Sequence, residues 1–334
     1  MKANRPRHAA AGRQRLTGQC VVLTGASSGI GRAAAVQFAR AGADLVLAAR
    51  RQAVLDEVAA QCQALGAQVL VVATDVTDER AVRALASAAV ARFGGIDVWV
   101  NNVGVGAVGS FVQTPLKSHQ RVIETNLLGH INGAHAVLPH FIARKRGVLV
   151  NMISLGAFAA APYGAAYTAS KFGLRGFSEA LRGELHEFED IHVCDVYPAF
   201  MDTPGVSHAA NYTGRRLQPA PPLYDPRRAA AAIVSLAHDP RPSVTVGSAA
   251  TALRFAHWLS PGLTGLFGAK VVERYLNDAE SAPRTEGTLS APWVGPGIDG
   301  AQRQQQGHGA TPVVAAALGA GLMLGVLALT RSRR

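Results

Sequence analysis

Tyr167 and Lys171, in the run Tyr167-Thr168-Ala169-Ser170-Lys171, stand four residues apart. On a helix that spacing puts a phenol and an ammonium group on one face. A free tyrosine gives up its proton near pH 10. A neighbouring cation lowers that value by about 1–3 units, which would bring the phenol toward proton transfer near neutral pH. The spacing alone is common in helices. A second constellation is more specific: the apolar run Cys20–Leu23 leads straight into Thr24-Gly25-Ala26-Ser27-Ser28-Gly29-Ile30-Gly31, followed by an Ala-rich helical stretch. Glycines so placed let the backbone turn sharply and approach a pyrophosphate, and the helix start offers unpaired N–H groups and partial positive charge. Between a strand and a helix, this loop reads as a dinucleotide site.

The same residues satisfy Gly-x-Ser-x-Gly, the elbow that exposes a serine nucleophile, here Ser27. A serine hydrolase is the weaker reading, because its elbow follows several strands and an oxyanion loop, whereas this one sits on the first strand behind a basic tail. The choice of dinucleotide is read about twenty residues further on, where an NAD site carries an acidic residue for the ribose 2′-hydroxyl. Here stands Ala48-Ala49-Arg50-Arg51. No carboxylate would repel a 2′-phosphate, Arg50 could pair with one, and Arg32 could add a second cation. NADP(H) is the expected cofactor.

These groups need a frame. Between Gln19 and Gly247, short Val/Leu/Ile-rich runs alternate with longer helix-period segments, the pattern of a parallel sheet wrapped by crossover helices. Strands are expected at Cys20–Leu23, Asp44–Ala48, Gln68–Ala73, Val98–Val100, Gly147–Ile153, His192–Val196 and Val244–Val246. The fold class is α/β, a doubly wound, Rossmann-like, seven-stranded parallel sheet with its ligand crevice at the carboxyl ends of the strands.

Over roughly residues 17–247 the chain resembles the short-chain dehydrogenase/reductase family. Thr24–Gly31 looks like the family's Thr-Gly-x-x-x-Gly-x-Gly, Asp75-Val76 like its adenine-contacting position, and Asn101-Asn102-Val103-Gly104 like its Asn-Asn-Ala-Gly. Asn126 falls on the family's catalytic asparagine, Ser154 on its serine, and Tyr167 and Lys171 on its Tyr-x-x-x-Lys. Pro198 begins the counterpart of its Pro-Gly motif, and Thr203 matches the threonine that holds the nicotinamide amide. The resemblance implies that Tyr167 is the general acid or base, that Ser154 orients the substrate oxygen, that Lys171 binds ribose and lowers the tyrosine pKa, and that Asn126 anchors a relay water. Cofactor contacts are implied for Thr24, Gly25, Ser27, Ser28, Gly29, Ile30, Gly31, Arg32, Arg50, Asp75, Val76, Asn102, Gly104, Tyr167, Lys171, Pro198 and Thr203. The chain departs from the family pattern at Val103, Ile153 and Ala199, none of which removes a reacting group.

The segment Ala199–Pro226 carries Phe200, Met201, Tyr212 and Tyr224 beside Arg215 and Arg216 and reads as a mobile lid. Gly156–Pro162 is small and apolar apart from Phe158, which suggests an apolar carbonyl or alcohol substrate. An alternative of another class is a catalytically silent NADP(H)-binding scaffold or sensor. Cellular function that survives Tyr167→Phe would mark it. His186-Glu187 has no second histidine at the spacing of a zinc helix, so no metal site is expected.

The 334 residues, 49% of them hydrophobic, suffice for one large domain with extensions. The boundaries read as a basic tail over 1–17, a catalytic domain over 18–248, an amphipathic extension over 249–280, a flexible linker over 281–311 and an apolar tail over 312–334. The net charge of +11 is concentrated at the two ends, where Lys2, Arg5, Arg7, Arg13 and Arg15 face Arg331, Arg333 and Arg334. No nucleic-acid motif accompanies it, so nucleic acid is not an expected partner. Cys20, Cys62 and Cys194 form no pair motif, which suits a reducing compartment. The uncharged run Val313–Thr330, with Gly321 and Gly325, is a candidate membrane anchor. A cytoplasmic catalytic domain and, from the family, a homo-oligomer are expected.

Overall fold

The computed structural model describes residues 16–218, 222–248, 250–251, 253–254, 260, 272–289, 291, 297–300 and 303. Strand β1 (Cys20–Thr24) is wholly buried and opens the chain's α/β alternation. It is followed by α1 (Gly29–Arg40), β2 (Asp44–Ala49), α2 (Gln52–Gln63), β3 (Val69–Ala73), α3 (Glu79–Phe93), β4 (Val98–Asn101) and the two-residue β5 (Ala107–Val108). Next come α4 (Leu116–Ile123), a π-helical turn (Glu124–Leu128), α5 (Gly129–Arg144), β6 (Gly147–Met152), a 3-10 turn (Leu155–Ala157) and α6 (Ala165–Glu184). Then follow β7 (Ile191–Pro198), the short α7 (Pro204–Ser207), β8 (Ala210–Asn211), α8 (Pro226–His238), β9 (Ser243–Val246) and a last 3-10 turn, Gly287–Leu289.

The main sheet is seven-stranded in the order β3-β2-β1-β4-β6-β7-β9. Every pairing in it is parallel. These are the seven strands expected from the apolar runs. The pair β5-β8, joined by Ala107↔Ala210 and Val108↔Asn211, was not expected, because two residues are too few to show an alternating pattern. Burial on both faces explains the unbroken apolar strands. Side chains of α1, α2 and α8 cover one face, and those of α3, α5 and α6 cover the other.

The chain reverses direction across the sheet between β1 and β4, and this split is closed by polar groups. Thr24 Oγ1 donates to the Val100 carbonyl (3.1 Å) and accepts from the Asn102 amide (3.1 Å), while Asn102 Nδ2 reaches the Thr24 and Gly25 carbonyls. A ladder of buried polar side chains also runs in register across β4, β6 and β7. Asn101 pairs with Asn151, and Asn151 with Asp195. Asn101 Nδ2 donates to Asn151 Oδ1 (3.0 Å), Trp99 Nε1 donates to Asn101 Oδ1 (2.8 Å), and Arg182 bridges to Asp195 at 3.0 Å. Satisfied partners of this kind are what make buried polar groups tolerable.

Helix ends follow local chemistry. Asp78 caps α3 through the Arg80 and Ala81 amides, and Gly94 closes that helix at φ 76°. Asp225 caps α8 ahead of Pro226. By contrast α1 has no side-chain cap, so its leading N–H groups need acceptors from elsewhere, and the first of them, Gly29, finds the Gly297 carbonyl.

Residues 1–15 of the basic tail, most of the 249–271 stretch and the apolar run 313–330 lie outside the described residues. Among the described residues no helix is long and apolar enough to cross a membrane. Part of the segment read as a flexible linker is docked on the domain. Asn211 and Thr285 exchange main-chain bonds, the Thr288 amide donates to His208, and Gly300 donates to Asp202. The segment read as a lid is likewise tied down: Arg216 donates to the Glu280 carbonyl, and Tyr212 and Ser118 hydroxyls meet at 2.7 Å.

Candidate active site

The phosphate loop holds its shape through three glycines. Gly25 and Gly29 have φ of +68° and +53°, a region that residues with a Cβ rarely adopt. Gly31 has ordinary backbone angles, but a Cβ there would run into the Gly25 carbonyl and the Asn102 amide. The loop therefore lies flat against the β1/β4 split. Ser27 and Ser28 line the cleft beside Gly25, and Ile30 turns inward to pack on the core. Ser27 has no histidine partner among the described residues, so the elbow reading lacks its base.

Arg50, Asp75, Val76 and Gly104 line the same cleft, together with Arg51, Thr74, Val103, Val105 and Arg121. Arg50 Nη2 donates to the Thr288 carbonyl at 3.3 Å, and burial draws its pKa downward. Asp75 accepts from the Thr77 amide and hydroxyl and from Arg121 Nη2 at 3.0 Å. Burial opposes its ionisation, but these donors prevail and hold its pKa below the usual carboxylate range. Arg32 is placed differently from the sequence reading. It is buried between α1 and α2, with Nε on Gln61 (3.3 Å) and Nη1 3.8 Å from Glu57, and does not line the cleft.

The proton-transfer group gathers at the carboxyl ends of β4 and β6. Tyr167 and Lys171 are one turn apart on α6, and Lys171 Nζ, nearly wholly buried, donates to the Met152 carbonyl at 3.1 Å. The ammonium also lies 5.8 Å from the centre of the Tyr167 ring. Ser154 begins the 3-10 turn after β6, where its hydroxyl accepts from the Gly156 amide (3.1 Å) and hydrogen-bonds Tyr167. Asn126 lies in the π-helical turn, a local widening common at functional sites. Its side chain accepts from the Val105 amide (2.8 Å) and donates to the Val105 carbonyl (2.9 Å) and Ser170 Oγ (3.2 Å). That side chain thus fixes the loop that borders the cleft, with one acceptor site of Oδ1 beyond the Val105 bond. Gly104 joins the two halves of the site, since a Cβ there would be 3.9 Å from both Lys171 Nζ and Asn126 Oδ1.

Burial raises the Tyr167 pKa, and the Ser154 hydrogen bond pulls it back. Burial also brings the Lys171 pKa down to about 7, because a desolvated ammonium is disfavoured against its neutral form.

The far end of the site holds Pro198, which ends β7, and Thr203, whose side chain packs against Gly29. Sequence reasoning missed three contributors. Arg121 is marked by no motif. Thr288 and Leu289 come from a segment read as linker, yet they line the cleft. The Gly29 amide at the start of α1 donates to the Gly297 carbonyl at 3.1 Å. Around that contact, Arg303 reaches Asp202, Asp225 and Asp299 at 3.2, 3.0 and 2.9 Å, and Asp299 also pairs with Arg227.

A parallel sheet with a glycine loop at its reversal point and a Ser-Tyr-Lys group beside it defines a dinucleotide-dependent oxidoreductase fold and site. Residues 19–212 match the family model described as short chain dehydrogenase. The chain belongs to the short-chain dehydrogenase/reductase family. It is 33% identical over 282 residues to the uncharacterized oxidoreductase YxnA of Bacillus subtilis, covering 83% of this chain and 79% of that one. It is 37% identical over 248 residues to the putative oxidoreductase SadH of Mycobacterium tuberculosis, covering 71% and 88%. Among solved structures it resembles a metagenomic short-chain oxidoreductase in complex with NADP, with a TM-score of 0.60 and 31% identity over 69% of this chain and 97% of that one. It also resembles an alcohol dehydrogenase of Thermococcus sibiricus complexed with 5-hydroxy-NADP, with a TM-score of 0.60 and 26% identity over 68% and 95%.

Proposed function

We propose that this oxidoreductase uses NADP(H) to interconvert a carbonyl and a secondary alcohol on an apolar substrate. The observation that carries the reading is the grouping of Ser154, hydrogen-bonded to Tyr167, with Lys171, whose Nζ lies beside Gly104 in the wall of a cleft whose other end is basic. The residues fit the cofactor: the uncapped α1 start and Gly25 would take the pyrophosphate, and Arg50, which follows β2 where an NAD site carries an acidic residue, would take a 2′-phosphate. When bound, the nicotinamide supplies or accepts the hydride. Tyr167 gives a proton to the carbonyl oxygen, or takes one from the alcohol. Ser154 donates a hydrogen bond to that oxygen as charge develops on it. Lys171 holds a proton at Nζ behind the tyrosine, and Asn126 fixes the Val103–Val105 loop that borders them.

An apolar substrate is supported by the company of Tyr167, which packs with Val105, Ala107, Val122, Ala210, Tyr212 and Leu289. Exposed Leu128, Ile142 and Phe172 support association with further copies of the chain. The test is to titrate the full chain with NADPH and with NADH by nicotinamide fluorescence, then to screen apolar ketones and aldehydes. Tight NADPH binding, and turnover that falls at least about 100-fold in Tyr167→Phe, is expected. Folded protein that binds neither nucleotide, or a Tyr167→Phe variant with full turnover, sinks the proposal.

A further inference from the structure

His130 lies in the first turn of α5, one helical turn beyond Asn126, and is 1% exposed. Its main chain is pinned: Asn101 Nδ2 donates to the His130 carbonyl at 3.0 Å, and Asn101 is itself held by Trp99 and Asn151. The helix comes close enough to β4 for this only because residue 133 is glycine, where a Cβ would strike the Asn101 and Trp99 side chains. The ring lies against the main-chain carbonyls of Asn101, Met152 and Asn126, and Lys171 acts on it electrostatically. Met152 offers the same oxygen that accepts from Lys171 Nζ.

His130 Nε2 is buried and has no hydrogen-bond partner among the described residues. A neutral imidazole carries one N–H donor and one bare acceptor. With carbonyls around the ring to take the N–H, Nε2 is left as the acceptor. An orphaned acceptor in the interior is unfavourable, and a buried water relieves it when polar partners surround it.

Resting on the function proposed above, we propose that His130 is a positioning residue for Lys171: its neutral ring backs the lysine pocket, and Nε2 accepts from the ammonium through one buried water. The charge relations agree with this. Burial, followed by the positive charge of Lys171, drives the His130 pKa down to about 3, so the ring stays neutral at any working pH. Among the described residues, the titratable groups shown to meet Lys171 are Tyr167 on its own helix, its ring centre 5.8 Å from Nζ, and His130 on α5. Strand β6 offers the Met152 carbonyl, the π-helical turn offers Asn126, and the loop after β4 offers Gly104, none of them ionisable. Replacing His130 therefore removes the proposed acceptor from the ammonium while leaving the reacting groups and the Asn126 clamp on Val105 in place.

The test reads Lys171 directly, without cofactor or substrate. The chain's lysines are Lys2, Lys117, Lys145, Lys171 and Lys270, so the Cε resonance of Lys171 in 13C-lysine protein is assigned by its loss in Lys171→Arg. In the wild type it titrates near 7. In His130→Leu the midpoint falls by about one pH unit, because the ammonium has lost an acceptor. His130→Gln, whose amide reaches the Nε2 position, stays within about 0.3 unit of wild type, whereas His130→Asn, which reaches only Nδ1, falls like Leu. A midpoint unchanged in Leu, or equal displacement in Gln and Asn, overturns the proposal. If Leu does not fold, the Gln/Asn contrast decides. In turnover assays the alkaline loss of kcat/KM moves to lower pH with the same ranking, which a merely structural role would not produce. Wild-type protein that binds no NADPH while these titrations hold would defeat the functional reading and leave the His130–Lys171 coupling standing.

Discussion

Arg50→Ala tests the cofactor assignment at one atom group. Three arginines border the basic end of the cleft, but they are not equal. Arg121 is tied to Asp75 at 3.0 Å and to the Thr77 hydroxyl, so its charge is largely matched. Arg51 serves as the N-terminal boundary of α2. Arg50 has only a 3.3 Å contact to the Thr288 carbonyl, long for a guanidinium bond and readily exchanged for a phosphate. Its pKa is lowered by burial, yet a guanidinium remains charged at any relevant pH. A hydrogen bond to a charged group contributes about 1.5–3 kcal/mol. Partial exposure and salt screening reduce this to about 1–2 kcal/mol, or about 5–30-fold in Kd. Fluorescence titration of Arg50→Ala should show that loss for NADPH and a change of less than about twofold for NADH. Raising salt should shrink the difference in the wild type and leave little of it in the variant. Parallel weakening of both nucleotides would refute the reasoning, since Arg50 would then be shaping the cleft rather than reading a phosphate. No weakening of either would refute it as well.

Gly31→Ala forces a Cβ into the Gly25 carbonyl and Asn102. We expect nucleotide affinity to fall more than about 100-fold while far-UV circular dichroism stays native, because the displaced backbone is the phosphate loop itself. Arg303→Ala removes the hub that holds Asp202, Asp225 and Asp299 and should free the Gly29 amide from Gly297. Stopped-flow NADPH association should then speed up about 2–5-fold, a modest factor for exposed ion pairs, and slower association would show that the segment helps bind the cofactor. Burial brings the Lys171 pKa down from its ordinary 10.5 to about 7, so between those values the unfolded state should hold more protons and stability should rise with pH. Urea unfolding of the ligand-free protein should show a slope of up to about 1.4 kcal/mol per pH unit that is absent in Lys171→Met. Equal slopes would mean that the lysine is not desolvated as described.

The sequence by itself determined the seven strands and the α/β alternation, and it marked the glycine loop and the Ser154, Tyr167 and Lys171 group proposed to react. These are local properties. An unbroken apolar run marks a strand buried on both faces, glycine spacing marks a turn that no other residue can make, and a four-residue separation marks one helix face. What the side chains do once folded was not legible. Arg32 looked like a phosphate ligand and went into the α1/α2 interface, because a long side chain near a helix start can turn either way. The resemblance marked Asn126 as the anchor of a relay water, and it did not show that the same side chain clamps Val105 and Ser170. Thr288, Leu289 and Gly297 meet the cleft across more than two hundred residues of chain, a closeness that no local pattern encodes. The pKa order is likewise tertiary. The spacing of Tyr167 and Lys171 puts a cation near a phenol, but it does not show the burial that raises the phenol's pKa and lowers the lysine's. Charge depends on the surrounding medium, and only the packed fold supplies that medium.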